Sequence, residues 1–189
     1  MNQGFALFET AIGACAIGWS PRGVMAASLP AESPARTRAA MKRRYPDLTE
    51  APPPENVAHA IAEIVALLTG GKNDLRDVEL DLTGVPDFNK RAYDIARAIP
   101  PGEVLTYGDI AKRLGDITLS RAVGQAMGSN PIPIIIPCHR VMAAGHKTGG
   151  FSAPLGLATK MQMLTIERAN IGPAPTLFSE LPLAAKPQR

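Results

Sequence analysis

The segment Pro137-Cys138-His139-Arg140-Val141 places a thiol and an imidazole side by side, directly after the apolar run 130–136. A free cysteine has a pKa near ~8.5, and burial among isoleucines raises that pKa further. A nucleophilic cysteine here needs a base, and His139 is the nearest candidate. Because successive side chains of an extended segment point to opposite faces, a bridging water or a sharp turn must connect the two groups. The imidazole then requires a carboxylate from elsewhere in the fold to fix its tautomer.

The same residues also have a purely structural interpretation. Cys138 can be a small buried apolar residue and His139 a hydrogen-bonded loop histidine. The choice between the two interpretations depends on the rest of the chain.

Charge is unevenly distributed along the chain. The formal net charge of the 189 residues is +3, but residues 1–84 contain eight basic and ten acidic side chains, whereas residues 85–170 contain ten and six. The half with the cysteine is therefore basic, as expected of a segment that approaches a phosphate backbone, although unrelated domains show the same bias. The basic cluster Lys42-Arg43-Arg44 lies in the acidic half. We interpret it as a solvated face, with a peripheral phosphate contact as the alternative.

Composition argues against membrane, secreted and metal-binding proteins. No apolar run approaches the ~20 residues that cross a bilayer, and Met1-Asn2-Gln3-Gly4 lacks the basic start of a secretory signal. We therefore expect a cytoplasmic protein with reduced thiols, in which Cys15, from an apolar stretch, is a core residue. The two cysteines and three histidines show no metal-ligand spacing, so no metal site is expected.

Residues 1–84 have the pattern of a small α/β domain. Short apolar segments separated by glycines predict an antiparallel hairpin or meander over 5–29, and a short helix is expected within 33–45. Helical spacing of apolar residues predicts a second helix from Glu55 to Leu68. Alternating apolar and acidic residues predict a strand over 78–82, followed by a linker at 82–86.

Residues 85–170 have the pattern of a mainly helical domain. Helices are predicted over 87–99 and 107–114, the second opened by a capping box at Thr106-Tyr107-Gly108-Asp109. Ser120 is predicted to cap a further helix that runs to about Gly128. The last two helices form a helix-turn-helix candidate, so we expect a winged-helix-like carboxy-terminal domain and, beyond it, a flexible tail over 171–189. From spacing alone, the pair could equally be a structural αα-hairpin.

Small residues dominate the second helix of this pair. It has short or absent side chains at four positions, so its backbone can approach a surface closely: Ala122, Gly124, Ala126 and Gly128. A helix that reads bases in the major groove would carry long polar side chains. A bare helix with one arginine, Arg121, instead suits a narrow groove and contact that does not depend on sequence.

Three motifs in one order carry a family resemblance. They are Ser-Arg-Ala-Val-Gly-Gln-Ala-Met at 120–127, Asn-Pro-Ile-Pro-Ile at 130–134 and the cysteine segment at 137–141. Together they resemble the O6-alkylguanine-DNA alkyltransferases, with similarity from about Phe88 to Glu167. The resemblance implies repair of double-stranded DNA by irreversible, single-turnover transfer of an alkyl group from O6-alkylguanine to Cys138, with O4-alkylthymine as a second candidate substrate. It also implies a monomer that flips the damaged base and needs no cofactor.

The resemblance also implies a role for individual residues. Glu167 supplies the carboxylate of a Glu-His-water-Cys relay, Tyr107 donates to the guanine ring, and Asn130 is a hinge that ties the helix pair to the cysteine loop. Arg140 anchors that loop. Arg121 enters the duplex in place of the extruded nucleotide. The remaining residues expected on the DNA face of the second helix are Ser120, Ala122 and Ala126.

One segment departs from the family pattern. The base pocket is expected to include Tyr107, Phe151, Ser152 and Ala153. The last three belong to a loop that forms one wall of the pocket and is about two residues longer than usual before Lys160. Ala153-Pro154 replaces glycines there and stiffens the wall, which affects the alkyl groups that fit.

Two other functional classes fit part of the pattern. A cysteine hydrolase could use Cys138, His139 and Glu167, but it would need an oxyanion site and would turn over. A helix-turn-helix regulator without transfer activity could use the helix pair, but it leaves the cysteine unexplained.

Overall fold

The amino-terminal sheet is an antiparallel meander of three strands. The computed structural model describes residues 3–146 and 152–170. Its strands β1 (Gly4–Thr10), β2 (Gly13–Ser20) and β3 (Gly23–Ser28) pair in the order β1-β2-β3. The meander predicted over 5–29 is therefore confirmed.

Two helices accompany this sheet. Helix α1 (Pro34–Arg44) starts at Ser33, whose hydroxyl accepts a hydrogen bond from the Arg36 amide, and it packs on β2 and β3. Helix α2 (Glu55–Leu67) contacts β1. A small apolar cluster that includes Phe5 and Met41 is separate from the main core, which contains Cys15. Both predicted helices form, and Cys15 is a fully buried core residue as expected.

The strand predicted at 78–82 does not form. This segment makes a single isolated bridge between Leu80 and Val24, with the Val24 amide donating to the Glu79 carbonyl and the Asp81 amide donating to the Val24 carbonyl. Asp81 then turns inward, where its carboxylate accepts hydrogen bonds from the Ser20 hydroxyl and the Thr83 amide. The alternation of apolar and acidic residues therefore reflects one edge contact and a buried acid rather than a strand.

The carboxy-terminal half contains four helices within the described residues. They are α3 (Asp87–Arg97), α4 (Tyr107–Arg113), α5 (Ser120–Gly128) and α6 (Gly156–Ile166). The capping box predicted at the start of α4 is present, since the Thr106 hydroxyl accepts from the Asp109 amide and the Asp109 carboxylate accepts from the Thr106 amide. Helix α3 ends two residues earlier than predicted, and Ile99 is buried beyond its end.

Helices α4 and α5 form the predicted pair and contact each other. A 3-10 turn at Ile117–Leu119 joins them. The expectation that Ser120 caps α5 is wrong, because Ser120 is already helical and its hydroxyl donates to the Ile117 carbonyl, while Leu119 occupies the N-cap position. The intervening 3-10 turn moves the start of the helix by one residue.

Short strands connect this pair to the cysteine segment. Strand β4 (Leu105–Thr106) pairs in parallel with β5 (Val141–Met142), directly after the cysteine turn. Helix α4 begins where β4 ends. The start of α4 and the cysteine turn are thus held next to each other.

The two halves of the chain share one hydrophobic core. The main cluster contains Ile17 and Ile64 from the first half together with Ile110 and Ile134 from the second. The Ala27 amide on β3 also donates to the Pro131 carbonyl. The domain boundary between residues 84 and 85 therefore stays a prediction. The predicted tail, 171–189, lies outside the described residues. Across the two described ranges, no helix combines the length and apolarity that a transmembrane helix requires.

The close contact between β3 and the segment after α2 predicts that a side chain at Gly23 destabilises the fold. Gly23 has φ +137°, and a Cβ there would lie 2.5 Å from the Glu79 carbonyl oxygen. We expect Gly23→Ala to lower the free energy of unfolding by more than about 2 kcal/mol, measured by urea denaturation. Gly70→Ala is the matched control because Gly70 has φ +97° but open space around it, so only the backbone cost of about 1 kcal/mol is expected. Equal losses in the two variants would show that the contact with Glu79 contributes nothing.

Candidate active site

The cysteine lies in a loop shaped by buried polar contacts. Cys138 begins a 3-10 turn, Cys138–Arg140, and its amide donates to the Ile136 carbonyl at 2.8 Å. Asn130 stabilises the loop that leads to Cys138. Its Nδ2 donates to the Ile136 carbonyl, and its Oδ1 accepts from the Ile132 amide. Ile134 within the loop has φ +77°, a conformation that is strained for a β-branched residue. The surrounding structure therefore holds the loop in a form that the isolated chain would disfavour.

Burial controls the ionisation of the thiol. Cys138 is only 7% exposed, and burial raises the pKa of its thiol above the ordinary value. A hydrogen bond with the Asn130 side chain and the nearby charge of Lys160 act in the opposite direction on this pKa. The resting side chain is therefore a thiol that needs a base before it can act as a nucleophile.

The required carboxylate is present. His139 is fully buried, and its Nε2 lies 3.0 Å from Oε1 of Glu167, the residue that ends α6. Glu167 is also buried. Burial acts to raise the pKa of Glu167, but hydrogen bonds from His139 and Arg140 lower that pKa to about 2. Glu167 is therefore ionised at neutral pH despite its burial.

Arg140 completes the cluster. Its Nε donates to Glu167 Oε2 at 2.9 Å and its Nη2 donates to Glu167 Oε1 at 2.8 Å, which is a two-point ion pair. Its Nη1 donates to the Ile99 carbonyl at 2.7 Å. Arg140 thereby links the cysteine turn to the end of α6 and to the segment after α3.

The ionised Glu167 fixes the tautomer of the imidazole. Burial lowers the pKa of His139, with an opposing contribution from Glu167, so the ring is neutral at pH 7. A carboxylate can only accept, so Nε2 carries the proton. Nδ1 then presents a lone pair, and it makes no hydrogen bond to any residue in the described ranges. Nδ1 is therefore the ring atom available to accept a proton.

Tyr107 lies at the first position of α4, beside the cysteine turn. It is half-buried, and burial followed by the electrostatic effect of Cys138 raises the pKa of its hydroxyl. The hydroxyl therefore remains protonated and can donate a hydrogen bond near the thiol.

A cavity of about 100 Å³ opens beside the thiol. Its lining includes Cys138 and Asn130 together with Ser152 and Ala153 of the longer loop. Phe151, the other loop residue expected in the pocket wall, lies outside the described residues. Tyr107 is not among the residues that line this cavity, so its place in the base pocket stays a prediction. Further lining residues are Ala27, Ser28, Leu29, Arg44, Met127, Gly128, Pro133 and Pro154.

The exposed side of α5 retains part of the predicted DNA face. Arg121 is exposed, while Ser120 and Ala122 are half-buried. Gly124 faces open space, since a Cβ there would meet nothing within 4 Å. The predicted contact through Ala126 is wrong, because Ala126 is 1% exposed and packs in the core.

The error arose from composition. Small residues on α5 serve two purposes: some leave the outer face bare, and others allow close packing inside. The Ala126 carbonyl accepts a hydrogen bond from the buried Tyr93 hydroxyl at 2.8 Å, which places this residue on the inner face. Alanine content alone does not separate the two faces.

Comparison with known proteins identifies the family. A sequence model of the 6-O-methylguanine DNA methyltransferase DNA-binding domain matches residues 87–169. A methylated-DNA–protein-cysteine methyltransferase of Mycolicibacterium paratuberculosis is 39% identical over 125 residues, which cover 66% of this chain and 73% of that protein. The chain belongs to this methyltransferase family.

Solved structures agree with this assignment. The crystal structure of Mycobacterium tuberculosis OGT in complex with DNA superimposes with a TM-score of 0.66 at 31% identity, covering 89% of this chain and 96% of that one. The Mycobacterium tuberculosis O6-methylguanine methyltransferase superimposes with a TM-score of 0.70 at 31% identity. A Methanocaldococcus jannaschii methyltransferase is 43% identical over 121 residues, covering 62% of this chain and 70% of that protein. The likeness to the solved structures extends over both halves of the chain, including the sheet.

Some residues at the site of this methyltransferase carry no signal in the sequence. In the sequence, Lys160 only marked the end of the longer loop. In the structure it is fully buried, and its Nζ donates to the Val141 carbonyl at 2.7 Å. Burial lowers the pKa of Lys160 to about 8, with an opposing effect of Cys138. The contribution of Ser28 and Arg44 from the first half was also missed. No local pattern marks these residues, because only the fold brings them to the thiol.

No group of three or more histidine, cysteine or acidic side chains is arranged to hold a metal ion within residues 3–146 and 152–170.

The buried ion cluster predicts a distinctive pH dependence. Glu167→Gln leaves the Arg140 charge buried without its partner, so we expect a loss of about 3 kcal/mol in the free energy of unfolding at pH 7. The pKa of Glu167 is lowered in the fold from 4.5 to about 2, so its contribution is complete above pH 4.5 and disappears as the pH falls toward 2. The difference between wild type and variant should therefore shrink over this range in urea titrations.

Glu55→Gln provides the control, since Glu55 is an exposed carboxylate at the start of α2. We expect it to change the free energy of unfolding by less than about 0.5 kcal/mol. A Glu167→Gln difference that stays constant from pH 5 to pH 2 would contradict the ion-pair assignment.

Proposed function

We propose that this chain repairs double-stranded DNA by moving an alkyl group from O6 of guanine to Cys138. The observation that carries the proposal is the buried cluster of Arg140, Glu167 and His139, which leaves one imidazole nitrogen available as a base beside a thiol in a cavity. Membership of the methyltransferase family favours alkyl transfer over hydrolysis or simple DNA binding.

The relay begins with proton transfer. Side chains at successive positions of a 3-10 turn diverge by about 120°, so Cys138 and His139 do not face each other and one water between them is the natural link. His139 Nδ1 takes the proton through this water. Glu167 stabilises the positive imidazolium that results, and Arg140 keeps Glu167 ionised.

The thiolate then displaces the base. Its sulfur forms a bond to the alkyl carbon as the bond from that carbon to O6 breaks, and the electron pair moves onto the guanine. Guanine is a poor leaving group unless a donor offsets the developing charge. We assign this role to the Tyr107 hydroxyl, which stays protonated and lies beside the cysteine turn. Asn130 fixes the conformation of the loop and so the position of the sulfur for this attack.

The product is a thioether, which neither water nor a second thiol cleaves readily. Cys15, the other cysteine, is buried in the sheet, and burial raises its pKa to about 12. Each molecule therefore acts once. This sequence of steps requires no nucleotide, metal or redox cofactor.

Access to the lesion requires base flipping. The alkyl group on O6 points into the stacked duplex, and extruding the nucleotide costs a few kcal/mol. We assign to Arg121 the role of filling the space that the nucleotide leaves, with Ser120, Ala122 and Gly124 forming the bare surface that lies in the minor groove. The same proposal places the protein in the cytoplasm as a monomer, and it treats 1–84 as a domain that supports 85–170.

The transfer itself is tested by intact-mass analysis after incubation with an oligonucleotide duplex containing O6-methylguanine. We expect one methyl group per chain, mapped by peptide fragmentation to Cys138, with a matching loss of the lesion from the DNA. Cys15→Ser should behave as wild type, whereas Cys138→Ser should acquire no methyl group. An unmodified wild-type protein with the lesion still in the DNA would overturn the proposal.

The role of Arg121 predicts a split between two kinds of substrate. Arg121→Ala should slow transfer from duplex DNA by about tenfold or more, because the flipped state loses a few kcal/mol of stabilisation. Transfer from a free O6-alkylguanine base needs no flipping and should change by less than about twofold. The control is Arg36→Ala, which removes another exposed arginine, in the first turn of α1. Equal slowing with both substrates would contradict the assignment.

A further inference from the structure

The basic end of α1 reaches the cavity beside the thiol. Arg44, the last residue of this helix, lines that cavity together with Cys138. An adjoining cavity of about 400 Å³ is lined by Arg43 and Arg44, and the two cavities share Ser152 and Pro154. Lys42, their neighbour in the sequence, lines neither cavity. All three residues are exposed, as expected of a solvated face, but two of them also line a cavity at the site.

These arginines have no acidic partner among the described residues. No aspartate or glutamate is among the described residues that line either cavity. Within the described ranges, neither Arg43 nor Arg44 forms an ion pair. The guanidinium carbon of Arg44 lies 5.6 Å from the centroid of the Tyr45 ring. Arg44 also lines a third cavity with Asp81, whose carboxylate is paired with Arg22. Two guanidinium groups beside a cavity, without an acidic partner in the part of the chain that the structure describes, make a site suited to an anion.

The geometry of the reaction decides which part of the substrate meets this site. In an in-line displacement, the sulfur approaches the alkyl carbon from the side opposite O6, so any further atoms on that carbon project sideways. The space beside Cys138 is bounded by Pro133, by Ser152 and by the end of β3 at Ser28, and Arg44 completes its wall. A substituent on the reacting carbon would lie in the part of this cavity next to the sulfur, with the base in the remainder of the pocket.

We propose that Arg44, assisted by Arg43, directs this protein toward O6-alkyl groups that end in a carboxylate, with O6-carboxymethylguanine as the simplest case. The inference rests on the alkyl transfer proposed above. A carboxylate next to a forming thiolate is repelled by it, and this repulsion slows the reaction unless a cation lies close by. Arg44 offers a planar pair of donors for such a carboxylate.

The transfer balances without a further reactant. The Cys138 sulfur forms a bond to the methylene carbon, and the bond between that carbon and O6 breaks. The electron pair stays on the guanine, which recovers a proton and leaves as ordinary guanine. The protein retains an S-carboxymethyl group whose carboxylate pairs with Arg44.

A DNA phosphate is the other anion that Arg44 could meet. The phosphates flank the sugar, on the side of the flipped base away from O6, whereas Arg44 shares a cavity with the sulfur that attacks next to O6. The structure thus favours the substituent. The two sources differ in a measurable way, because a phosphate contact affects every lesion equally.

The test compares single-turnover transfer rates from three duplexes. They contain O6-methylguanine, O6-carboxymethylguanine and the neutral isostere O6-carbamoylmethylguanine. We expect the rate ratio of carboxymethyl to carbamoylmethyl to fall by about tenfold in Arg44→Gln, the loss of one charged hydrogen-bonded contact. Arg44→Lys should retain part of the preference, and Arg43→Gln should lose less of it than Arg44→Gln. The matched control Lys42→Gln should change the ratio by less than about twofold.

Three outcomes would overturn the inference. An unchanged ratio in Arg44→Gln would show that Arg44 does not contact the substituent. An equal slowing with all three duplexes would assign Arg44 to a phosphate instead. Failure of the wild type to transfer any of the three groups would overturn the proposed function and this inference with it, whereas methyl transfer without a carboxylate preference would overturn the inference alone.

Discussion

The ion pair between Arg140 and Glu167 is the contact on which the site depends. Both side chains are buried, and an isolated charge of either kind would be costly there. Two hydrogen bonds between them, a third from Arg140 to the Ile99 carbonyl and one between Glu167 and His139 satisfy most of their polar atoms. The cluster joins the cysteine turn to α6 and to the segment after α3. It therefore serves the fold and the chemistry together, since the carboxylate that it keeps ionised also fixes the proton on His139 Nε2.

The cysteine turn solves a geometric problem that the sequence raises. In an extended chain, Cys138 and His139 would point to opposite faces, but a 3-10 turn brings both into the interior at diverging angles. Asn130 and the strained backbone of Ile134 hold this turn in place. Burial protects the thiol by raising its pKa, and the proposed relay is the route by which it would lose its proton. A protein that is consumed by one reaction benefits from a nucleophile that stays protonated until its substrate arrives.

Local patterns predicted most of the helices but failed where tertiary contacts decide. The capping box at Thr106 and Asp109 was correct because all of its partners lie within one turn. The strand at 78–82 was wrong because pairing depends on a neighbour, and β3 offers it only Val24. Ala126 was wrong for the same reason, since nothing in the sequence tells which small residues of α5 face Tyr93. The interpretation of Lys42-Arg43-Arg44 as a solvated face agrees with their exposure, but the sequence did not show that Arg44 also lines the cavity, because a distant segment forms the rest of that wall.

The sequence by itself determined the candidate nucleophile, the order of the motifs and the need for a third group, because these follow from the chemistry of neighbouring residues and from the family resemblance. Only the tertiary structure brought Glu167 within 3.0 Å of His139, since 28 positions of chain separate them. It alone placed Lys160 beneath the cysteine turn and Arg44 in the wall of the cavity. The physical reason is that ionisation and shape at the thiol depend on burial and on charges from distant segments, and neither property belongs to any short stretch of sequence.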